Sequence, residues 1–211
     1  MTGAAKIECQ RDEFTLPDGC HYLNCAYMSP LSRRVQEAGV AGVRRKGTPA
    51  DIAADDFFDD VDEARRLFAE LVHVPDAGRI AVVPSASYAI STVARNTAIR
   101  RGQTVVTVRD QFPSNTHPWR RVCAEAGAEF RIVDPPSQGG DRTSAWNETL
   151  LEAIDGNAAV VTLGQAHWAD GTPFDLVRIG ERAREVGAAF VIDGTQSVGA
   201  LPFNVQTLRP D

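Results

Sequence analysis

A mostly parallel β-sheet covered by helices on both faces is the α/β architecture that this sequence predicts. Three observations predict it. Short β-branched runs such as TVVTV at 104–108 and AAVVTL at 158–163 recur after residue 78. Helical patterns of ~10–15 residues separate them, the signature of βαβ units. The runs are apolar throughout rather than alternating, as strands buried on both faces are.

Each element follows in order. Residues 1–30 are irregular and rich in turn formers, so they read as an N-terminal arm. A helix is expected over 31–45, broken near Gly47 and Pro49. Phe57, Val61, Ala64, Phe68, Leu71 and Val72 recur at helical spacing, which predicts an amphipathic helix over 55–72. Asp55, Asp56 and Asp59 suit the positive end of its dipole. RIAVVP at 79–84 reads as the first strand, followed by a helix over 87–101. Strands are then expected at 104–108, 130–133, 158–163 and 188–193. The helices between them span 115–126, 145–154 and 174–186, with Gly127 and Gly187 closing two of them. Residues 31–211 thus form one large domain.

Composition excludes several functions. Basic side chains number 22 and acidic ones 28, a net charge of −6. That balance gives no electrostatic footprint for nucleic acid or an anionic membrane surface. No apolar run approaches the ~20 residues a membrane helix needs, and the first residues hold no apolar signal core. Cys9, Cys20, Cys25 and Cys123 lack metal-ligand spacing, so no metal site is expected. They read as reduced thiols in a cytoplasmic protein.

In a sheet of this kind ligands bind at the carboxyl ends of the strands. Ser85, Ala86 and Ser87 are small residues at a helix start, where backbone N–H groups bind an anion such as phosphate, although a plain N-cap without a ligand is the reading this feature favours by itself. Asp193 ends an apolar strand, where it wants a cationic partner such as a protonated pyridine nitrogen, or caps the next turn. Gln196 lies three residues on and can aim its amide at the same ligand. Phe112, on another strand-end loop, is placed to stack on a flat ring or to join the core. His167, Trp168 and Asp170 line a polar pocket or hold a turn at Asp170-Gly171.

Together these loops resemble the class V aminotransferases, the fold-type-I pyridoxal-phosphate enzymes that include cysteine desulfurases and kynureninase-like hydrolases. HYLNCAYMSP at 21–30 is similar to the family's "YLNNA…GP" stretch beside the substrate pocket, which brings in Asn24. SAS at 85–87 stands where the family has a G-[AT]-T phosphate loop, and NTHPW at 115–119 resembles its "N-x-x-P-W". VIDGTQSVGALP at 191–202 is close to "VDGAQSxGxxP". The resemblance implies that Asp193 pairs with the pyridinium nitrogen and Gln196 with the ring's phenolic oxygen. It implies that Ser85, Ala86 and Ser87 hold the phosphate while Phe112 stacks on the ring. Cysteine desulfurases usually carry a His at the place of Phe112 and an Asn at that of Trp168. Both departures lean toward transamination, epimerisation or Cβ cleavage of an amino acid substrate, with a cysteine desulfurase or other lyase as the alternative. A homodimer is implied as well.

The family's chemistry needs a lysine that forms a Schiff base with the cofactor. The resemblance places it roughly 25 residues beyond Asp193, about eight residues past Asp211. Lys6 and Lys46 are the only lysines, and neither matches the motif. The family's C-terminal small domain has no counterpart either. The chain therefore reads as the N-terminal portion of a larger enzyme, inactive alone. A partial sequence, a truncated product and a non-catalytic relative of the fold are the three explanations.

Overall fold

The computed structural model of the chain describes residues 8–137 and 141–211. The first seven residues of the expected N-terminal arm, Lys6 among them, lie outside the described residues. The chain divides into two compact units, Met1–Asp60 and Val61–Asp211.

In the first unit, helix α1 (Arg33–Arg45) starts at Ser32, whose hydroxyl accepts from the Val35 N–H. The segment before it is tied back by a bridge between Phe14 and Ser32 and by Arg33, which donates to the Asp12 carbonyl. α1 buries none of its residues. Helix α2 (Asp59–Val72), which belongs to the second unit from Val61 on, follows a short 3-10 turn at Asp55–Phe57, so the expected helix begins with a break. It buries only Ala69 and Val72, and much of its apolar stripe, Val61, Phe68 and Leu71, stays exposed, as does Phe57 in the turn before it.

The second unit holds the sheet. Its strands are β1 (Thr104–Val108), β2 (Glu129–Val133), β3 (Ala158–Gly164) and β4 (Ala189–Asp193). Every pairing is parallel, and the order across the sheet is β2-β1-β3-β4. Four helices connect or flank the strands: α3 (Ala86–Asn96), α4 (His117–Ala126), α5 (Arg142–Ala153) and α6 (Leu176–Val186). A single turn, α7 (Val205–Leu208), follows β4.

Alternating strand residues divide the core in two. Val105, Val160 and Val191 pack with Ile90, Ala94, Trp119 and Cys123 of α3 and α4. Val106, Val161, Leu163 and Phe190 pack on the opposite face with Trp146, Leu150 and Ile179 of α5 and α6. Both faces are therefore covered, as the apolar strands require. α4 and α6 end at Gly127 (φ 68°) and Gly187 (φ 76°), the left-handed closing positions that glycine takes without steric penalty.

Two expectations need correction. Residues 79–84 do not form a strand. Ile80 is extended (φ −94°, ψ 123°), as its β-branched neighbours favour, but no strand among the described residues pairs with it. Its carbonyl accepts instead from the Arg65 side chain. A cavity of about 610 Å³ is lined by Ile80 on one side and by Val191 and Ile192 of β4 on another. The sheet consequently has four strands, not five, among the described residues. The helix over 87–101 also stops early, at Asn96. Asn96 and Thr97 turn their side chains back onto the Thr92 and Val93 carbonyls, and Thr97 is extended.

Candidate functional site

Parallel strands place every strand-to-helix loop at one edge of the sheet. After β1 the chain kinks at Asp110, whose φ of +52° is uncommon for a residue with a side chain. Phe112 follows with its backbone held: its carbonyl accepts from the Asn115 N–H (2.9 Å) and the Thr116 hydroxyl (3.1 Å). Its ring is 38% exposed. After β3 the loop 165–173 closes on itself. Ala166 and Pro173 form a bridge, and the Thr172 N–H donates to Asp170 Oδ1. Asp170-Gly171 makes the turn its sequence implies, with Gly171 at φ 74°.

This second loop is stitched to the first. Trp168 donates its indole N–H to the Asp110 carbonyl at 2.6 Å. Its ring meets Phe112 at 5.3 Å between centroids and 89° between planes. His167 is buried, with Nε2 3.0 Å from the Arg109 carbonyl and Nδ1 3.1 Å from Asp170 Oδ1. Both ring nitrogens face acceptors, so neither is free for a ligand. His167, Trp168 and Asp170 do come together, but as a brace between loops rather than an open polar pocket.

The brace extends to residues whose part was not apparent from sequence. Arg142 donates to Asp170 Oδ2 at 2.8 Å and lies over the Trp146 ring. Trp146 packs on both His167 and Phe174. Burial alone would raise the Asp170 carboxyl. The hydrogen bonds from Thr172, the Arg142 guanidinium and the nearby His167 outweigh it and hold the group at about 2.

The third loop follows β4. Gly164 of β3 and Asp193 of β4 are partners in register. Asp193 uses one oxygen, Oδ1, to accept from the Thr195 N–H (3.1 Å) and hydroxyl (2.6 Å). This is the turn-capping role; its Oδ2 keeps no partner among the described residues. Gln196 sits exposed on the turn that follows.

α3 starts beside that loop. Ser85 is its N-cap, with the hydroxyl accepting from the Tyr88 N–H at 3.1 Å. The N–H groups of Ala86 and Ser87 have no partner among the described residues, as first-turn groups lack intrahelical acceptors. Ala86, Asp193, Gly194 and Thr195 are among the residues that line the 610 Å³ cavity, whose walls are mostly apolar. An anion at the helix start and a cationic ring at the carboxylate are thus accommodated side by side. Asn24 belongs to the first unit, where its carbonyl accepts from the Met28 N–H.

Among the described residues no three His, Cys, Asp or Glu side chains gather as metal ligands, and no helix is long and apolar enough to cross a membrane. All four cysteines are unpaired. Burial pushes the Cys123 thiol up, which makes it a core residue rather than a nucleophile.

Known proteins resemble this chain in sequence and in fold. A "Probable cysteine desulfurase" of Methanothermobacter thermautotrophicus is 31% identical over 149 residues, covering 71% of this chain and 36% of its own length. A "Cysteine desulfurase" of Escherichia fergusonii is 26% identical over 176 residues, covering 82% of this chain and 42% of its own. The chain therefore spans well under half the length of these relatives. Among solved structures, C-DES with glycine covalently linked to its pyridoxal-phosphate cofactor superimposes with a TM-score of 0.80 at 21% identity. That match covers 96% of this chain and 54% of the other. The cysteine desulfurase CsdA of Escherichia coli gives a TM-score of 0.77 at 23% identity, over 95% and 51%. At these identities both establish the fold, a fold-type-I large domain. The family model described as aminotransferase class-V matches residues 44–211, which take in three of the four resembling stretches and leave out 21–30. By that match, the chain belongs to the aminotransferase class-V family.

Proposed function

We propose that this chain is the cofactor-binding portion of a pyridoxal-phosphate-dependent enzyme that acts on an amino acid. One observation carries the reading. Ala86, whose N–H has no partner among the described residues, lines one cavity with Asp193, whose Oδ2 has none either, and Ser87 follows Ala86 in the first turn of the same helix. Those residues fit the group: two backbone donors and a helix dipole for a phosphate, and a carboxylate for a ring nitrogen. When bound, the cofactor supplies an electron sink for bonds at the substrate's Cα.

The residues then divide the work. Asp193 holds a proton on the ring nitrogen, and Gln196 hydrogen-bonds the phenolic oxygen. Ala86 and Ser87 bind the phosphate through backbone N–H groups, Ser87 adds its hydroxyl, and Ser85 orders the helix start. Phe112 covers one ring face and excludes water from it. His167, Trp168 and Asp170 shape the loop beside it. Residues 1–30 act as an arm and 31–211 as the large domain. A homodimer is in keeping with the exposed Leu23, Tyr27 and Met28. Free cysteines fit a cytoplasmic protein.

Phe112 and Trp168 favour transamination or related Cα and Cβ chemistry. Desulfuration of cysteine is the second reading for the reaction, supported by the names of the relatives. A non-catalytic binding role is the third. No residue of this chain is assigned the covalent link to the cofactor.

The test is reconstitution of the natural full-length protein with pyridoxal phosphate. A visible absorbance band that disappears in Asp193→Ala is expected. A colourless protein overturns the proposal. Borohydride treatment separates enzyme from binder, because it fixes the cofactor only where a lysine amino group is joined to it.

A further inference from the structure

We infer that Trp168 is a positioning residue, fixing the ring of Phe112 in the orientation it presents to the cofactor. The inference rests on the proposed stacking role of Phe112. It adds a residue that acts on the cofactor through another side chain.

Phe112 is fixed in its backbone but not by burial. Its carbonyl takes two hydrogen bonds and Pro113 follows it, yet the ring is 38% exposed. A ring in that situation exchanges between rotamers unless something stands against it. Trp168 does so, at 5.3 Å and 89°. In a perpendicular pair one ring offers its edge to the face of the other. In either sense at least one face of Phe112 remains clear of Trp168.

Trp168 is itself held. Its indole N–H is spent on the Asp110 carbonyl, two residues before Phe112, at the left-handed kink that launches the loop. Its loop is fastened by the Ala166–Pro173 bridge and by Asp170, which Arg142 grips from α5. One side chain therefore fixes both the path of the loop and the ring at its end. With its sole donor consumed, the indole has none left to offer a ligand.

The experiment has two arms in the natural full-length protein. The first replaces phenylalanine with fluorophenylalanine and follows the Phe112 fluorine resonance without added cofactor, assigned by Phe112→Leu. Trp168→Ala is expected to shift and average that resonance, and Trp168→Phe, which keeps an aromatic edge, to restore much of it. An unmoved resonance in Trp168→Ala overturns the inference. The second arm titrates pyridoxal phosphate into wild type, Trp168→Ala, Phe112→Leu and the double variant. Trp168→Ala is expected to weaken binding about 10-fold when Phe112 is present and less than about 2-fold when it is Leu. Equal losses in both backgrounds give Trp168 a contact of its own and overturn the positioning role. If Trp168→Ala does not fold, Trp168→Leu takes its place in the cycle. Failure of wild type to bind overturns the cofactor reading, and the fluorine resonance still decides whether Trp168 sets the ring.

Discussion

Thr162, in the middle of β3, donates its hydroxyl to Oδ1 of Asn115 at 2.8 Å. The same oxygen accepts the indole N–H of Trp119 at 3.2 Å, and all three residues are fully buried. One amide thus joins the sheet, α4 and the loop that carries Phe112. Asn115→Ala leaves a buried hydroxyl and a buried indole N–H unpaired. The expected loss is about 1–3 kcal/mol in urea denaturation. A loss below about 0.5 kcal/mol would show that the amide carries no stability.

Asp170 gives a pH dependence with a definite sign. Its carboxyl sits at about 2 in the fold against an ordinary 3.8. The unfolded chain therefore takes up the proton first, and the group's stabilisation is complete above its unfolded value. Compared with Asp170→Asn, wild type should keep a constant advantage above pH ~5 and lose it as pH falls through about 4 to 2. Melting temperatures of the two proteins across that range check it. An advantage that persists at pH ~2 would contradict the assignment.

Gly180 of α6 faces Phe190 of β4. A Cβ there would meet two ring carbons at 3.0 Å and the Leu208 carbonyl at 3.1 Å. Alanine usually strengthens a helix, but here the sheet side has no room. Gly180→Ala is expected to destabilise by about 1–3 kcal/mol. Thermal unfolding decides it, and a gain in stability would mean that the ring yields.

Ser85 and Ser87 should separate cleanly. Ser85 caps α3, so Ser85→Ala is expected to cost about 0.5–2 kcal/mol of stability. The Ser87 hydroxyl makes no hydrogen bond among the described residues. Ser87→Ala should leave thermal stability unchanged and weaken phosphate-bearing ligands by a few-fold in a binding titration. The reverse pattern would assign the ligand to Ser85 instead.

Strands were legible where burial on both faces makes every residue apolar. TVVTV matches β1 residue for residue, and all five side chains are buried. RIAVVP is also rich in β-branched residues but stays unpaired among the described residues, because pairing depends on a partner strand that local sequence does not encode. The positions of the candidate residues were legible to the extent that strand ends and loops mark them. Phe112, Trp168 and Asp193 all stand on such loops, and Asp193 caps its turn, one of the two readings its position allows. The grip of Arg142 on Asp170 could not, since it joins residues 28 positions apart on separate elements. The stacking of Trp146 on His167 was hidden for the same reason: a helical Trp reads simply as core.

The order β2-β1-β3-β4 has a kinetic consequence. No two neighbouring strands can zip from a hairpin, so every seam waits for a crossover to close. The bond between Arg109 and Asp134 at the β1–β2 seam spans 25 positions. The bond from Thr107 to Thr162 at the β1–β3 seam spans 55. Closing the longer span costs about 0.6 kcal/mol more in chain entropy, before any α5 packing has formed to offset it. The centre of the sheet is thus its slowest seam. Val160→Ala should slow refolding in stopped-flow measurements, whereas Phe130→Ala, at the edge, should mainly hasten unfolding. The middle of the sheet sets how fast this protein folds, and its margin sets how long it stays folded.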